Sequence, residues 1–542
     1  MKKYLSGLFA GLKNNFELSE DIEVSFDIPK IESHGDFSTN IAMLMAKRLD
    51  KKPRDLAQEI IYSLNFDRSI ISKVEVAGPG FINFYFTPEY ISSSVKKILD
   101  EGKQFGKSDS NRGKRAIIEF VSANPTGPLT VGHGRNAVSG DTMANLLEAT
   151  GFEVDREYYF NNAGRQMRVL GNSVRLRYLE LTGELEEFPE DHYQGEYITG
   201  IAQDLFEKHG DSLKSEGPEG IFKEEAERVI FEDIKKTLER IGIKHNVFFN
   251  ENSLYEDGKI DGLLKTFKDR DLSYEKDGAV WLRLSDLGNE KDKVIVKNTG
   301  EPTYRLPDIA YHATKFERGY DFIVDLFGSD HTATYPDVLA ALAELGYDIE
   351  KVKVMIHQFV TVIKDGKAVK MSTRKANYIT LDELIDWVGS DVVRYFFNMR
   401  AISTHLNFDL NLAVKHSEEN PVFYLQYAHA RICSILRMTD QEGLRMQTDQ
   451  LELLVTDEEQ RLIKKLLSYP DVVESAAKVL DAVILCAYLE ELAAAFHKFY
   501  TVCRIIGSEP GLAGARLALV NAVKTVISNG LSILGVTAPE KM

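Results

Sequence analysis

The stretch Glu119-Phe-Val-Ser-Ala-Asn-Pro-Thr-Gly-Pro-Leu-Thr-Val-Gly-His-Gly-Arg135 decides the fold class. A β-branched, apolar run at 116–121 leads into it. A helical texture follows at 133–150, and a second strand pattern at 154–160. Strand, Gly-rich loop, helix and strand, in that order, open a nucleotide-binding parallel sheet. Pro125, Gly127 and Pro128 set a tight turn, and Gly132 removes a side chain where a ligand would approach the backbone. His133 opens the helix, where free N–H groups and the helix dipole favour anions, and its imidazole can donate to phosphate. A Pro/Gly turn with a capping histidine is the alternative reading of the same residues.

A second informative segment lies 235 residues further on from Arg135, at Lys370-Met-Ser-Thr-Arg-Lys-Ala-Asn-Tyr-Ile-Thr380, after the turn Lys364-Asp-Gly-Lys367. Lys370, Arg374 and Lys375 surround Ser372 and Thr373 in what reads as a loop. Such a loop can close on a triphosphate and neutralise charge as pyrophosphate leaves. A solvated basic hairpin is the plainer alternative.

Outward from these motifs the chain separates into regions of different texture. Residues 1–112 mix helical and strand patterns, with the turn Gly78-Pro79-Gly80 before an apolar strand at 81–86. A polar linker covers 103–114. Residues 172–291 are acidic and carry amphipathic helices such as 223–241, so they read as an insertion in the α/β domain. Alternation resumes at Val294, with strands expected at 321–327 and 352–359 and a helix at 335–345. Beyond Asp391 the pattern is almost wholly helical. There is no internal repeat.

Composition narrows the function classes. The 542 residues are 44% hydrophobic and 27% charged, the balance of a globular protein. No run approaches the roughly 20 apolar residues that a membrane crossing needs. The first 24 residues read as an amphipathic helix and not a signal peptide. The formal charge of −17 argues against a protein whose only task is to coat nucleic acid, since phosphate neutralisation requires cations. Residues 420–542 carry 12 Lys and Arg against 14 Asp and Glu, so the acidity lies upstream. Cys433, Cys486 and Cys503 are too far apart for a metal pair, and as free thiols they suit a reducing cytoplasm.

Taken together, a Pro-Thr-Gly-Pro-Leu-x-Val-Gly-His loop after the first strand and Lys-Met-Ser at the far end of the same domain resemble the class I aminoacyl-tRNA synthetases. Within that class the chain is most similar to the arginyl-tRNA synthetase family. Further segments that resemble it are Arg156-Glu-Tyr-Tyr-Phe-Asn-Asn-Ala-Gly-Arg-Gln166, Pro302-Thr-Tyr-Arg-Leu-Pro-Asp-Ile-Ala-Tyr311, Gly328-Ser-Asp-His331, Asn420-Pro-Val-Phe-Tyr-Leu-Gln-Tyr-Ala-His-Ala-Arg431 and Ala538-Pro-Glu-Lys-Met542. The chain departs from the family pattern at Thr130, where a histidine is usual, and at Thr373, where a lysine is frequent.

The resemblance implies a multidomain α/β fold. Its parts are an α+β, tRNA-contacting N-terminal domain at 1–112, a Rossmann-like parallel-sheet catalytic domain at 113–400 with the insertion, and an all-α anticodon-binding domain at 401–542. It implies a ligase that joins L-arginine to tRNA(Arg) through arginyl-adenylate, with ATP and Mg²⁺ as the substrate complex and no tightly bound cofactor. The signature residues are Ala123, Asn124, Pro125, Thr126, Gly127, Pro128, Leu129, Thr130, Val131, Gly132 and His133. Catalytic roles fall to His133, Lys370, Ser372, Arg374 and Lys375, and ATP binding to Thr130, Gly132, His133 and Lys370. Arginine binding falls to Glu119, Asn124, Tyr304 and Asp308, a set suited to a guanidinium through paired carboxylate bonds and a ring face. Tyr424, Tyr427, Arg431 and Arg437 are candidate tRNA contacts, and Ser33-His-Gly-Asp-Phe-Ser38 marks the N-terminal domain without a catalytic part. No metal-ligand set, DNA or membrane partner is expected, and a cytoplasmic monomer is. The rivals are a nucleotidyltransferase without tRNA and a non-enzymatic RNA-binding relative.

Overall fold

The computed structural model describes residues 2–10, 24–27, 29, 31–184, 187–329, 332–369 and 378–542. Its centre is a five-stranded parallel sheet built from β1 (Arg115–Glu119), β2 (Glu153–Phe160), β3 (Val247–Asn250), β4 (Phe322–Gly328) and β5 (Val352–His357). The strand order is β5-β4-β1-β2-β3. Ala116, Ile117 and Ile118 of β1 are fully buried, as expected of a strand covered on both faces. The chain moves from β1 to one side and later returns to the other, so the topological switch point lies between β1 and β4. Ligands of open α/β sheets bind beyond the carboxyl ends of the strands at such a point.

Helix α1 (Val131–Ala149) follows β1 and is buried along most of its length. Its glycines set how closely it packs. A Cβ on Gly140 would fall 2.3 Å from Phe120 Cγ, and one on Gly134 would fall 2.6 Å from Leu381 Cδ1. Between β2 and β3 run α2 (Gly164–Leu181), the helix Glu196–His209 and α3 (Ile221–Arg240). Helix α4 (Arg305–Glu317) and α5 (Tyr335–Leu345) flank β4, the latter at the expected bounds.

Three differences from the sequence reading concern short strands. Residues 172–291 are not one insertion, because β3 lies inside them and pairs in parallel with β2. The stretch divides into a helical part before β3 and a small antiparallel sheet after it, formed by Ser273–Lys276, Ala279–Leu282 and Lys293–Val296. The expected strand 352–359 ends at His357, and Val360–Lys364 belongs to another sheet with Lys367–Ala368 and Leu406–Asp409. That last strand lies in the region expected to be helical. Strands of four or five residues show too little alternation to stand out beside amphipathic helices.

The N-terminal unit packs helices on an antiparallel sheet of Phe37–Thr39, Ile71–Ala77 and Phe81–Phe86. The Ser33–Ser38 segment has a structural use here. Gly35 is at φ 94°, where a Cβ would meet the Phe84 carbonyl oxygen at 2.7 Å. Asp36 accepts from the Phe86 N–H at 2.7 Å and pairs with Lys464 of the C-terminal bundle at 2.5 Å. That bundle comprises Pro421–Gln441, Asp457–Leu467, Tyr469–Val479, Val483–Val502 and Pro510–Leu534. Leu489, Leu492, Phe496 and Phe499 form the buried face of the fourth of these helices. Among the described residues Pro510–Leu534 is long and apolar enough to cross a membrane, which the sequence reading missed. Its apolar window is 61% buried by the other helices.

Candidate functional site

The site grows from the end of β1. Val121 at φ 68° and Ser122 at φ 43° turn the chain off the sheet through a backbone region that β-branched residues rarely enter. Strain of this kind costs about 1–3 kcal/mol per residue and persists only where neighbours impose it. Asn136 of α1 does so: its Oδ1 accepts from the Val121 N–H at 2.6 Å, and its Nδ2 donates to the Leu326 carbonyl at 3.0 Å. The loop beyond is braced by Tyr158, whose hydroxyl donates to the Ala123 carbonyl, and by Tyr197, whose hydroxyl donates to that of Thr126, both at 2.7 Å. Pro125 and Leu129 are buried, whereas Gly127 and Pro128 are half-buried.

At the start of α1 the capping and phosphate readings of His133 describe one arrangement. Thr130 is the N-cap, and its Oγ1 accepts from the His133 N–H at 3.4 Å. His133 Nδ1 accepts in return from the Thr130 N–H at 3.1 Å. A ring nitrogen that accepts from a backbone N–H carries no proton, so the neutral imidazole holds its proton on Nε2. Burial, with His357 nearby, pushes the His133 pKa down to about 4, which keeps the ring neutral at physiological pH. The Nε2–H is then a donor for an anion. A Cβ on Gly132 would meet only Thr130 Oγ1, at 3.6 Å. Unlike Gly134 and Gly140, this glycine fills no packing need of the protein.

The signature loop and the far end of the domain meet in space. Leu381 N donates to the Leu129 carbonyl at 2.8 Å, Val131 N donates to that of Ile379 at 3.3 Å, and Thr130 bridges Thr380. Buried Arg135 ties α1 to the small sheet that precedes the cationic segment. It donates to the carbonyls of Gln358 at 2.9 Å, Thr404 at 2.8 Å and Ala401 at 2.9 Å. Burial pulls its pKa down to about 10, still charged at neutral pH. Lys370, Ser372, Arg374 and Lys375 lie outside the described residues, as does Thr373; the described chain resumes at Tyr378.

On the other side of the β1 end, at the switch point, the residues form a buried acidic cluster around one ammonium. Glu119 stands beside Asp325 in the register of β1 and β4. Lys315 of α4, fully buried, joins them, 2.7 Å from Glu119 Oε2 and 2.6 Å from Asp325 Oδ1. Glu119 Oε1 accepts from the Ser122 hydroxyl at 3.0 Å. Glu119, His312 and Asp325 also have the spacing of a metal-ligand group, but the Lys315 ammonium fills the space between the two carboxylates, so they do not fit a divalent cation.

Asp308, in the first turn of α4, is half-buried, and its carboxylate takes no hydrogen bond among the described residues. Burial pushes its pKa up to about 7; the nearby His312 and Lys315 oppose that rise, and Glu119 and Glu251 add to it. Asp308 does not cap the helix, whose N-cap is Tyr304. Tyr304 is one turn from Asp308 and 83% exposed. Asn124 is committed in part to the segment after β2, accepting from the Asn161 N–H at 3.0 Å and donating to Gln166 at 2.9 Å. Tyr159 and Tyr311 pack against each other, with ring centroids 4.5 Å apart and planes tilted by 42°.

Sequence reasoning missed Lys315, His312, Asp325, Ser122 and Arg135. A signal for two of them existed: Asp308, His312 and Lys315 recur at i, i+4 and i+7, a polar stripe on a helix that is otherwise buried. In the C-terminal bundle Phe423 and Tyr427 stack at 6.1 Å, Tyr424 lies 5.2 Å from His497, and Arg431 covers Tyr500. Arg437 donates to the Glu540 carbonyl at 3.3 Å.

Comparisons with known proteins show the family and agree with this fold. The arginyl tRNA synthetase N-terminal domain matches residues 2–86, the class I (R) tRNA synthetase catalytic domain residues 94–394, and the DALR anticodon binding domain residues 425–542. Arginine–tRNA ligase from Pelodictyon phaeoclathratiforme is 50% identical over 100% of both chains. That from Chlorobaculum parvum is 51% identical over 97% of both. Among solved structures, Thermus thermophilus arginyl-tRNA synthetase superposes with a TM-score of 0.78 at 20% identity, covering 99% of this chain and 100% of that one. A Mycobacterium tuberculosis methionyl-tRNA synthetase with methionyl-adenylate shares the fold at a TM-score of 0.54 and 12% identity, over 77% of this chain and 92% of that one. With three consecutive domain matches and half its residues identical to relatives of the same length, the chain belongs to the arginyl-tRNA synthetase family of class I.

Proposed function

We propose that this protein is an arginine–tRNA ligase that activates L-arginine with ATP and transfers it to the 3′-terminal ribose of tRNA(Arg), releasing AMP and pyrophosphate. The observation that carries the reading is the pairing of two unlike walls at the carboxyl end of β1. One is a helix N-terminus with a neutral imidazole donor; the other is an acidic pocket with one unpartnered carboxylate, Asp308.

The guanidinium of arginine would lie against Asp308, with the Tyr304 ring over it and Glu119 beside it, while Asn124 orients the α-amino end. Arginine's carboxylate then attacks the α-phosphorus of ATP, the bond to the bridging oxygen breaks, and pyrophosphate leaves. His133 Nε2–H and the backbone at Gly132 would hold the phosphates, with Lys370, Ser372, Arg374 and Lys375 neutralising the departing charge. Thr130 acts through the cap that fixes His133. A ribose hydroxyl of the tRNA takes the arginyl group, on the 2′ position in class I fashion. Mg²⁺ would arrive on ATP. The protein contributes position and charge, so no covalent enzyme intermediate is needed.

Tyr424, Tyr427, Arg431 and Arg437 would meet the anticodon arm, and the N-terminal domain the outer corner of the tRNA. We assign the protein to the cytoplasm as a monomer without DNA or membrane partners. Charging of a tRNA pool with labelled arginine, lysine and citrulline in parallel tests the reading. Arginine alone should become ribonuclease-sensitive and acid-precipitable; label from lysine, or none from arginine, would overturn it.

A further inference from the structure

Beyond the residues that would touch arginine, a buried chain of charges connects the two walls of its pocket. It starts at the Asp308 carbonyl, 2.8 Å from His312 Nδ1; His312 Nε2 lies 3.0 Å from Asp325 Oδ2. Asp325 meets Lys315, Lys315 meets Glu119, and Glu119 accepts from the hydroxyl of Ser122, which itself accepts from the Tyr159 N–H at 3.2 Å. We propose that His312, Asp325 and Lys315 are positioning residues that set the charge and orientation of the arginine-binding carboxylates Asp308 and Glu119. The proposal rests on the reading that those two carboxylates form the arginine pocket.

The protonation state of His312 follows from its partners. A backbone carbonyl and a carboxylate both accept and neither donates, so both ring nitrogens carry protons and the ring is an imidazolium. Burial works against that charge, but Asp325 outweighs it and the pKa is raised. Burial likewise disfavours ionised Asp325, yet Lys315 and His312 hold it well below the usual carboxylate range. Two cations and two anions, His312, Lys315, Asp325 and Glu119, therefore cancel within the buried chain. Glu157, nearby, is satisfied separately by Arg318 and Tyr311.

This cancellation leaves Asp308 as the charge available to the substrate. Its carboxylate is faced by Glu119 from β1, Glu251 from beyond β3, and His312 and Lys315 from its own helix. The two cations hold its ionisation within reach of neutral pH against two anions and burial. A guanidinium that enters meets an anion ready to pair, between walls held in register by one chain of bonds.

The test measures tRNA-supported, arginine-dependent ATP–pyrophosphate exchange against pH for wild type, His312→Gln, Lys315→Met, Lys315→Arg and Asp308→Ala. His312→Gln keeps a donor to Asp325 but removes the positive charge. It should raise the KM for arginine about tenfold, one unit of ionisation free energy, leave the KM for ATP within about twofold, and move the midpoint of the arginine KM profile to higher pH. Lys315→Met should raise the arginine KM further, and Lys315→Arg should restore part of it. His312→Gln is the milder change, so it decides the matter if Lys315→Met does not fold. A merely structural role would lower active enzyme without moving the midpoint or splitting the two KM values, and that result overturns the proposal. If Asp308→Ala leaves the arginine KM unchanged, the pocket reading itself fails; if it raises that KM while His312→Gln does nothing, only the positioning proposal fails.

Discussion

The two walls of the cleft solve opposite electrostatic problems with opposite means. The wall proposed to hold the phosphates carries no cation at the turn in its described part: a neutral imidazole, a bare glycine and a helix N-terminus. The acidic wall, proposed to receive the guanidinium, gathers three carboxylates, Glu119, Asp308 and Asp325, and cancels most of that charge with Lys315 and His312. Fixed dipoles serve where charge must form and leave during reaction, because they need no reorganisation. Paired charges serve where a substrate must be selected, because a carboxylate left unmatched by the wrong substrate is costly.

Asp308→Ala attacks the acidic wall where nothing compensates. Losing a buried, charge-assisted contact of about 2–4 kcal/mol should raise the arginine KM about 30- to 1000-fold, with the KM for ATP unchanged in steady-state exchange. His133→Ala attacks the other wall. It should lower kcat about a hundredfold while arginine KM stays near wild type, since a donor to developing charge acts in the transition state.

The walls should also differ in pH response. The proposed pairing with arginine requires ionised Asp308, whose carboxyl is pushed up to about 7 by burial. Arginine KM should therefore be flat above that pH and rise about tenfold per unit below it, through proton uptake by the empty pocket. His133, already neutral, should impose no such limb on ATP binding above pH 5. A profile with equal limbs for both substrates would remove the contrast. Gly132→Ala should leave the thermal midpoint unchanged while raising the KM for ATP several-fold, whereas Gly140→Ala should cost about 1–3 kcal/mol of stability through its overlap with Phe120. Tyr304→Ala should have the smallest effect, about two- to fivefold in arginine KM, since an exposed ring contributes about 0.5–1 kcal/mol to a cation.

How much of this was legible in the sequence follows the range of each interaction. The turn at Pro125 to Pro128, the glycine before His133 and the helix at 335–345 depend on local chemistry, and their residue types announce them. The strand at Val247–Asn250 does not, since its place in the sheet is set by pairing with β2, not by its four side chains. Asp308 could be read as a cap because a sequence shows a helix start but not which residue caps it. Lys315 was silent for a related reason: a lysine on a helix is normally solvated, and its burial depends on two strands, one carrying Glu119 196 residues away and one carrying Asp325 ten residues away. Arg135 ends the signature motif, but its three carbonyl partners come from loops beyond residue 357.

The central claim is that one cleft joins an anion-binding helix start to a guanidinium pocket and there makes an acyl-adenylate. Exchange of labelled pyrophosphate into ATP by the purified protein, with tRNA present and arginine titrated, tests it directly. The account predicts label in ATP that rises hyperbolically with arginine, is absent with lysine or citrulline, and is lost in the His133→Ala, Asp308→Ala double variant. Exchange that is independent of amino acid, or no exchange while tRNA binds tightly, would contradict it.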